Sequence, residues 1–290
     1  MRILVAVDKN SYSAHIVGEA ARLAANTWAD VSILGIQPKG KDRTDKTSID
    51  TTLGYTLFTY RDNFLEHFKE EECPYARNEF TKKLAEIKKG LWEETGAPKG
   101  GKKKLKVRLR TGNPVKEILA EAHEQDSDLI ILGCDSTNDC AWENAVSVPR
   151  KVANDAACSV LIVKKEEKVK RIVCCLDHDR TTQESLEMIN QMVTLYDAKL
   201  TIVGLTENDI LKTEVEKKLD NILRYYLARN IEPWIELVEI SSLDSYIARG
   251  DSSKLMTLWM GKKSILERVL PKRKVNRLIK GSESSVLILR

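Results

Sequence analysis

The sequence predicts an α/β protein with two doubly wound domains, each a five-stranded parallel sheet with helices on both faces. The first reason is an internal repeat, in which RILVAVD at 2–8 returns as RIVCCLD at 171–177. The second is that ADVSILGI at 29–36 returns as AKLTIVGL at 198–205, at the same offset along the chain. The third is that short runs of Val, Ile and Leu alternate with longer segments of helical period, which is typical of βαβ units around a buried sheet.

The first half of the chain contains the elements of one such domain. Its apolar runs predict strands at 2–8, 30–36, 105–110, 128–133 and 159–164. Helical periodicity predicts helices at 12–27, 78–94, 114–125 and 148–156. The helix at 78–94 rests on four apolar residues that would share one helical face, namely Phe80, Leu84, Ile87 and Leu91. The turn Gly112-Asn113-Pro114 leads from a strand into a helix, since proline is favoured in a first helical turn.

The second half predicts the same order of elements. Its strands are expected at 171–177, 199–205, 234–240, 255–260 and 285–290, and its helices at 182–196, 213–229, 243–249 and 274–280. The charged connector KKEEKVK at 164–170 separates the halves, so the predicted domains are 1–165 and 170–290.

The first half also holds residues that the second half lacks, because the matching ends SVLIVK at 159–164 and SVLILR at 285–290 recur at a shorter offset than the starts. We assign the extra residues to an insert at about 37–75. The insert is too aromatic for a plain linker, with Tyr55, Phe58, Tyr60, Phe64 and Phe68. Packing of these side chains on the domain is expected, and a lid or partner-binding element is the alternative.

Composition limits the classes of function. The chain has 290 residues and a formal net charge of +4, which is small for its length and does not favour a nucleic-acid-binding protein. The N-terminal apolar run ends at Asp8, too early for a signal peptide, and no run approaches the roughly 20 apolar residues of a membrane span. The six cysteines show no CxxC spacing, so reduced thiols and a cytoplasmic location are expected.

The ordered set of motifs resembles the universal stress protein family in its tandem, two-domain form. The motifs are Asp8 and Asp177 at the ends of the first strands, GNPVKEI at 112–118, AHEQDSDLIILG at 122–133 and SVPRKVANDAACSVLIVK at 147–164. The resemblance implies two Rossmann-like domains that pack as a pseudo-dimer. It also implies that Asp8 and Asp177 lie beside the ribose and adenine in nucleotide-binding relatives. A helix-capping role for these two acids is the alternative.

Nucleotide-binding members of that family hold phosphate on a glycine-rich loop after the fourth strand, because glycine lets backbone N–H groups approach the phosphate oxygens. Here the corresponding positions hold Ser136, Asp139 and Val146, and Ser147 keeps the hydroxyl. At roughly 4 Å, a carboxylate such as Asp135 or Asp139 would repel each phosphate charge by about 1 kcal/mol in water. The resemblance therefore implies a degenerate ATP-binding motif.

The matching loop of the second half is basic. It begins with Gly261, Lys262 and Lys263 and continues through Arg268, Lys272, Arg273 and Lys274. Lysine and arginine side chains can bind phosphate without a glycine-rich backbone, so one interpretation of this loop is an anion-binding site. A solvated basic surface is the alternative.

Together, these observations predict a regulatory or protective binding protein of the stress response, with no enzymatic activity, no expected cofactor and no normal ATP binding. The alternative is an ATP-binding universal stress protein that uses a non-glycine phosphate loop. The partner is a protein or small molecule of unknown identity, with no nucleic acid and no membrane, and further association into a homodimer is left open. Catalytic residues and metal ligands are not assigned. The candidate cofactor-binding residues are Asp8, Gly112, Gly133, Ser136, Ser147, Asp177, Gly261, Lys262 and Lys263.

Cys134 and Cys140 lie on the same loop of the first half, six positions apart. A redox pair at this place is a hypothesis that rests on the loop alone. Two unrelated reduced thiols are the expected state.

Overall fold

A computed structural model describes most of the chain, at residues 1–39, 49–76, 81–96, 101–134, 142, 147–164, 168–175, 182–208, 210–249, 252–259, 279 and 283–290. The contacts divide it into two compact units, unit 1 (Met1–Val163) and unit 2 (Lys164–Arg290). Within these described ranges, no helix is both long enough and apolar enough to cross a membrane.

Unit 1 is built on a mostly parallel sheet. Its parallel strands are β1 (Arg2–Val7), β2 (Asp30–Gln37), β5 (Leu105–Thr111), β6 (Leu129–Gly133) and β7 (Ser159–Val163). Two antiparallel strands, β3 (Leu84–Lys88) and β4 (Leu91–Glu94), extend the sheet beyond β5. The spatial order is β7-β6-β1-β2-β5-β4-β3. The central strands are almost fully buried, as their continuous apolar runs predict for a sheet covered on both faces.

Helices cover both faces of this sheet. They are α1 (Tyr12–Thr27), α2 (Thr51–Glu66), α3 (Pro114–Glu124) and α4 (Val148–Asp155). Helices α1 and α2 pack together, and α3 packs with α4. The start of α3 confirms the predicted turn, because Pro114 stands in the first turn and the Asn113 side chain accepts a hydrogen bond from the Lys116 backbone N–H at 3.2 Å.

The helix predicted at 78–94 is wrong. Its described residues form the hairpin of β3 and β4, which turns at Gly90 with a φ of +75°. Leu91 and Trp92 are buried, whereas Ile87 is 54% exposed, so the helical spacing of apolar residues does not correspond to one buried face. The pairing of β4 with β5 gives these residues their backbone partners, and local periodicity carries no sign of that long-range contact. Phe80 lies outside the described residues.

The predicted insert at 37–75 is also misplaced. This segment contains α2, which packs on β2 and β5 and is therefore the ordinary helix between the second and third parallel strands. Four of its aromatic side chains, Phe58, Tyr60, Phe64 and Phe68, are buried. The aromatic residues therefore pack on the domain, as expected, with Tyr55 the exposed exception at 69%. Strands β3 and β4, which have no counterpart in the described part of unit 2, are the additional elements of unit 1.

Unit 2 repeats the parallel core. Its strands are β8 (Arg171–Cys175), β9 (Lys199–Thr206), β10 (Trp234–Glu239), β11 (Lys254–Trp259) and β12 (Ser285–Leu289), in the order β10-β9-β8-β11-β12. The described helices are α5 (Gln183–Tyr196), α6 (Thr213–Leu227) and α7 (Leu243–Ala248). The helix predicted at 274–280 lies outside the described residues, except for Ile279. Both units place the first strand between the second and the fourth, so the doubly wound fold class is confirmed.

Candidate functional site

The candidate site of unit 1 lies where β1 and β6 are neighbours in the sheet. The chain leaves β1 toward one side of the sheet order and β6 toward the other, so a crevice opens at their carboxyl ends. Asp8 directly follows β1, and Gly133 is the last residue of β6. The structure therefore brings these two predicted residues to one place.

The Asp8 carboxylate is bound by the turn that leads into α1. Its Oδ1 atom accepts hydrogen bonds from the Asn10 backbone N–H at 3.0 Å and the Ser13 hydroxyl at 2.9 Å. Its Oδ2 atom accepts from the Asn10 side-chain amide at 2.6 Å and the Tyr12 hydroxyl at 2.6 Å. Asp8 is only 2% exposed, and its carboxylate stabilises the turn before α1 through local hydrogen bonds.

Gly133 gives α1 room to dock on the sheet. A Cβ atom built on Gly133 would lie 2.2 Å from Cδ1 of Ile16 and 2.4 Å from Cδ2 of Tyr12. A side chain at residue 133 would therefore force the Tyr12 ring and the Ile16 side chain to move. The ring of Tyr12 thus lies against the end of β6 while its hydroxyl binds Asp8, and one side chain spans the crevice.

Helix α2 closes the same region from beside α1. The Tyr60 hydroxyl donates a hydrogen bond to the Asp8 carbonyl oxygen at 3.0 Å. Burial raises the pKa of Tyr60, and the nearby charge of Asp8 acts in the same direction, so the phenol remains a donor at neutral pH. Neither Tyr12 nor Tyr60 was recognised from the sequence as part of this site, because their positions depend on how two helices dock.

Gly112 stands at the end of the third parallel strand. Its backbone N–H donates to the Gln37 carbonyl oxygen at 3.0 Å, and a Cβ atom on Gly112 would lie 2.4 Å from Oε1 of Glu117. Glu117 in turn lies 3.4 Å from Nη1 of Arg110. A side chain at residue 112 would therefore clash with the Glu117 side chain of α3.

Ser147 occupies the position before α4. Its backbone is left-handed, with φ of +64° and ψ of +28°, and its side chain caps no backbone N–H group. The hydroxyl instead accepts a hydrogen bond from the guanidinium of Arg150. The other predicted site residues lie outside the described residues, namely Ser136, Asp177, Gly261, Lys262 and Lys263. The same holds for Asp135 and Asp139.

The cysteines differ from one another in state. Cys134 is buried and disulfide-bonded, which corrects the expectation of reduced thiols at this position; Cys140 lies outside the described residues. The expectation rested on the absence of CxxC spacing, which does not exclude a disulfide because folding can bring more widely spaced thiols into contact. Cys73, Cys174 and Cys175 are free thiols. Burial raises the pKa of Cys175 to about 12 and also raises that of Cys174, so these two thiols are inert packing groups at neutral pH.

An ion network on β5 was missed by the sequence analysis. Glu121 of α3 is fully buried and accepts from Nη1 of Arg108 at 2.7 Å and from Nε of Arg110 at 2.6 Å. Arg108 also donates from Nε to Glu93 of β4 at 2.6 Å, and Arg110 from Nη2 to Glu124 at 2.7 Å. Burial alone would lower the pKa of Arg108, but the carboxylates of Glu121 and Glu93 raise it above its ordinary value.

The sequence does contain a signal for this network. Arg108 and Arg110 are two positions apart on a strand, so they point to one face of the sheet. Glu117, Glu121 and Glu124 are three and four positions apart on the next helix, so they share one helical face. If α3 is placed so that its glutamates face the arginines of β5, buried ion pairs between them are expected. In the part of the chain that the structure describes, no group of three or more His, Cys, Asp or Glu could hold a metal ion.

Comparison with solved structures identifies the fold. A universal stress protein from Archaeoglobus fulgidus DSM 4304 superposes with a TM-score of 0.61 at 15% identity, over 100% of this chain and 96% of that chain. Protein PA1789 from Pseudomonas aeruginosa PAO1, described as functionally unknown, has a TM-score of 0.58 at 15% identity, over 99% and 92%. The cytoplasmic domain of a prokaryotic cation chloride cotransporter gives 0.52 at 13%, over 99% and 94%. These likenesses show a two-domain, doubly wound α/β fold.

Sequence comparison shows the family. The model of the universal stress protein family matches residues 1–164. Universal stress protein YxiE of Bacillus subtilis (strain 168) is 31% identical over 163 residues, which cover 56% of this chain and 98% of that protein. The chain belongs to the universal stress protein family, and the resemblance stated from its motifs is confirmed.

Proposed function

We propose that this chain is a regulatory or protective binding protein of the cytoplasmic stress response, with no turnover chemistry and without the ATP binding of the glycine-loop members of its family. Its partner is a protein or a small molecule. One observation carries the proposal: the chain's own Tyr12 lies across the crevice between Asp8 and Gly133, where the fold would place a nucleotide.

A ligand in this crevice would have to displace Tyr12. Displacement breaks the 2.6 Å hydrogen bond from the Tyr12 hydroxyl to Asp8 and leaves a buried carboxylate with fewer donors. A lost partner of a buried polar group costs about 1–3 kcal/mol, and more when the group is charged. A ligand would need to supply an equivalent donor, which the phosphate groups of a nucleotide lack and only its ribose hydroxyls or adenine amino group could provide.

The sequence of the loop after β6 supports the same proposal. The positions that correspond to the phosphate-binding glycines hold Ser136, Asp139 and Val146, so backbone N–H groups would be screened by side chains. Asp135 and Asp139 would add like-charge repulsion. The hydroxyl that remains at Ser147 is bound by Arg150.

The experiment is a search for bound adenine nucleotide. The full chain is purified gently and examined by native mass spectrometry, and its melting temperature is then measured with increasing ATP and Mg²⁺. We expect no retained nucleotide and no concentration-dependent rise in melting temperature, because a ligand that binds only the folded state must raise it. A rise that saturates with ATP would overturn the proposal in favour of a non-glycine phosphate site.

Two variants locate such a site if ATP does bind. Tyr12→Ala removes the ring from the crevice of unit 1, so it would strengthen binding there. Lys262→Ala combined with Lys263→Ala removes two cations from the basic loop of unit 2, so it would weaken binding at that loop. The measurement in each case is the ATP concentration that gives half of the melting-temperature shift.

A further inference from the structure

Strands β5 and β10 hold the same place in their two sheets. Each is the third parallel strand and pairs with the second, β2 or β9. In register, Leu109 of β5 lies opposite Gly35, and Leu237 of β10 lies opposite Gly204, the glycine that repeats Gly35 in the second half. Leu109 and Leu237 are therefore equivalent positions. By the same register, Glu236 stands where unit 1 has Arg108.

Unit 1 covers the outer side of this strand with an antiparallel segment. Trp92 of β4 lies opposite Leu109, and these residues are only 4% and 0% exposed. Glu93 lies opposite Arg108, and the two are joined by a hydrogen bond of 2.6 Å from Nε. The covering strand thus presents an aromatic residue followed by a residue of opposite charge.

The described residues of unit 2 leave the equivalent side open. In the described part of the chain, no strand pairs with β10 on the side away from β9. Leu237 is 55% exposed, Trp234 is 71% exposed and Ile235 is 36% exposed. An edge strand with unpaired backbone groups and exposed apolar side chains is a template for an added strand.

The charge at this edge identifies what would bind. Glu236 replaces Arg108, so the charge that faces a covering strand is inverted between the two units. Among the described residues, Glu236 accepts a hydrogen bond from the Tyr246 hydroxyl at 2.7 Å and forms no ion pair. Opposite charges on directly opposite residues stabilise a strand pair, and like charges destabilise it. A covering strand for β10 therefore needs a cation where β4 has Glu93.

We propose that β10 is a docking edge for a partner protein that adds an antiparallel extended segment, with an apolar or aromatic residue opposite Leu237 followed by lysine or arginine opposite Glu236. A second copy of β10 does not fit this requirement, because its sequence, WIELVE, contains two glutamates and no basic residue. The proposal rests on the proposed function, to which it adds a surface and a partner chemistry.

The test uses two peptides that differ by one residue. The first has the sequence of residues 89–96, KGLWEETG, and the second carries the change Glu93→Lys within it. Both are labelled with a fluorophore, and their binding to the full chain is followed by fluorescence anisotropy at low salt. We expect the lysine peptide to bind at least about tenfold more tightly than the glutamate peptide. No binding of the lysine peptide up to about 1 mM, the weakest affinity that this measurement resolves, would overturn the proposal.

Charge reversal in the protein gives the decisive control. The variant Glu236→Lys should exchange the preference, so that the glutamate peptide binds more tightly than the lysine peptide. Leu237→Thr should weaken the lysine peptide at least about fivefold, whereas Ile87→Thr, at a similarly exposed position of unit 1, should leave it unchanged. Circular dichroism confirms that each variant is folded. Equal peptide binding by the original chain and both β10 variants would show that the peptide binds elsewhere, which contradicts the proposal.

Sedimentation of the full chain tests the competing occupant. A concentration-dependent dimer that Leu237→Thr abolishes would mean that a second copy covers β10, and this result would overturn the proposal. A sedimentation coefficient that does not depend on Leu237 supports it. Peptide binding is measured without ATP, so the failure of this proposal and the failure of the proposed loss of ATP binding are separate results.

Discussion

In unit 1, the outer side of β5 is covered by β4, and the residues at that edge are buried and charged. In unit 2, the equivalent side of β10 carries no described strand, and its apolar residues Trp234 and Leu237 are exposed. The parallel core and its strand order are the same in both units. The shared core therefore does not determine whether the third parallel strand is an edge strand. The side chains on that strand differ between the units according to whether a further strand covers it.

The buried charges of unit 1 depend on the covering hairpin. Arg108 and Arg110 are each 6% exposed, and a buried guanidinium without a counter-charge would be strongly destabilising. Glu93 of β4 and Glu121 of α3 supply the negative charges from opposite sides. At the equivalent positions, unit 2 has Glu236 and Val238, which need no such cover.

The largest expected effect is the loss of Glu121. Glu121→Ala leaves two guanidinium groups buried without their shared carboxylate, so the free energy of unfolding should fall by about 3–5 kcal/mol. Urea titration of the full chain, followed by circular dichroism, measures the change. Glu124→Ala is the matched control, because Glu124 is 38% exposed and should contribute less than about 1 kcal/mol. Equal losses for the two variants would show that burial does not decide the contribution of these pairs.

The next effect compares a tryptophan of the covering strand β4 with a tryptophan of the edge strand β10. Trp92→Ala removes a side chain that is 4% exposed and covers Leu109, so it should cost about 3 kcal/mol. Trp234→Ala removes a side chain that is 71% exposed and should change the free energy of unfolding by less than about 0.5 kcal/mol. The same urea titration measures both. A large loss for Trp234→Ala would mean that the edge of unit 2 is covered in solution.

The smallest effect compares the starts of two equivalent helices. Asp50 caps α2, with its carboxylate accepting from the Leu53 backbone N–H at 3.0 Å and from Lys9, whereas Lys212 precedes α6 without a side-chain cap. Asp50→Ala should lower the free energy of unfolding by about 1 kcal/mol at pH 7. Lys212→Ala should change it by less than about 0.5 kcal/mol.

The cap at Asp50 also predicts a pH dependence. Burial raises the pKa of Asp50, but the hydrogen bonds and charge of Lys9 and the Leu53 backbone outweigh it, so the pKa is lowered. The stabilisation is therefore present above the unfolded pKa of about 3.9 and is lost as pH falls through the lower folded value. The difference between the original chain and Asp50→Ala should shrink below about pH 4. Asp50→Asn is the control, because it keeps the cap acceptor without a titrating charge. If the difference in free energy of unfolding between the original chain and Asp50→Ala stayed constant down to about pH 2, this account would be wrong.

The sequence predicted the parallel strands closely because their signal is local. The strand predicted at 128–133 is observed at Leu129–Gly133, and the strand predicted at 159–164 is observed at Ser159–Val163. Continuous apolar runs define such strands wherever both faces of a sheet are covered. The hairpin of β3 and β4 had no comparable signal, since Leu84, Ile87 and Leu91 happen to follow a helical spacing.

The candidate site was only partly predictable. Asp8 and Gly133 were recognised because each ends a strand at the carboxyl edge of the sheet, a place that the order of elements determines. The contribution of Tyr12 was not recognised, because it depends on the docking of α1 against β6 at a distance of a few ångströms. The prediction of a reduced thiol at Cys134 was wrong for the same reason, since a disulfide depends on which thiols are in contact and not on their spacing in the sequence.

By itself, the sequence determined the family and the two repeated cores, because repeats, apolar runs and strand-end residues are properties of local sequence. Only the tertiary structure decided that Tyr12 lies across the crevice, that Arg108 and Arg110 are buried around Glu121, and that β5 is covered by β4 while β10 has no covering strand among the described residues. Each of these features is a contact between segments that are distant in the chain or differently oriented. The stabilisation that these contacts provide comes from burial and charge pairing between the segments. The sequence pattern of each segment alone does not specify how the segments meet.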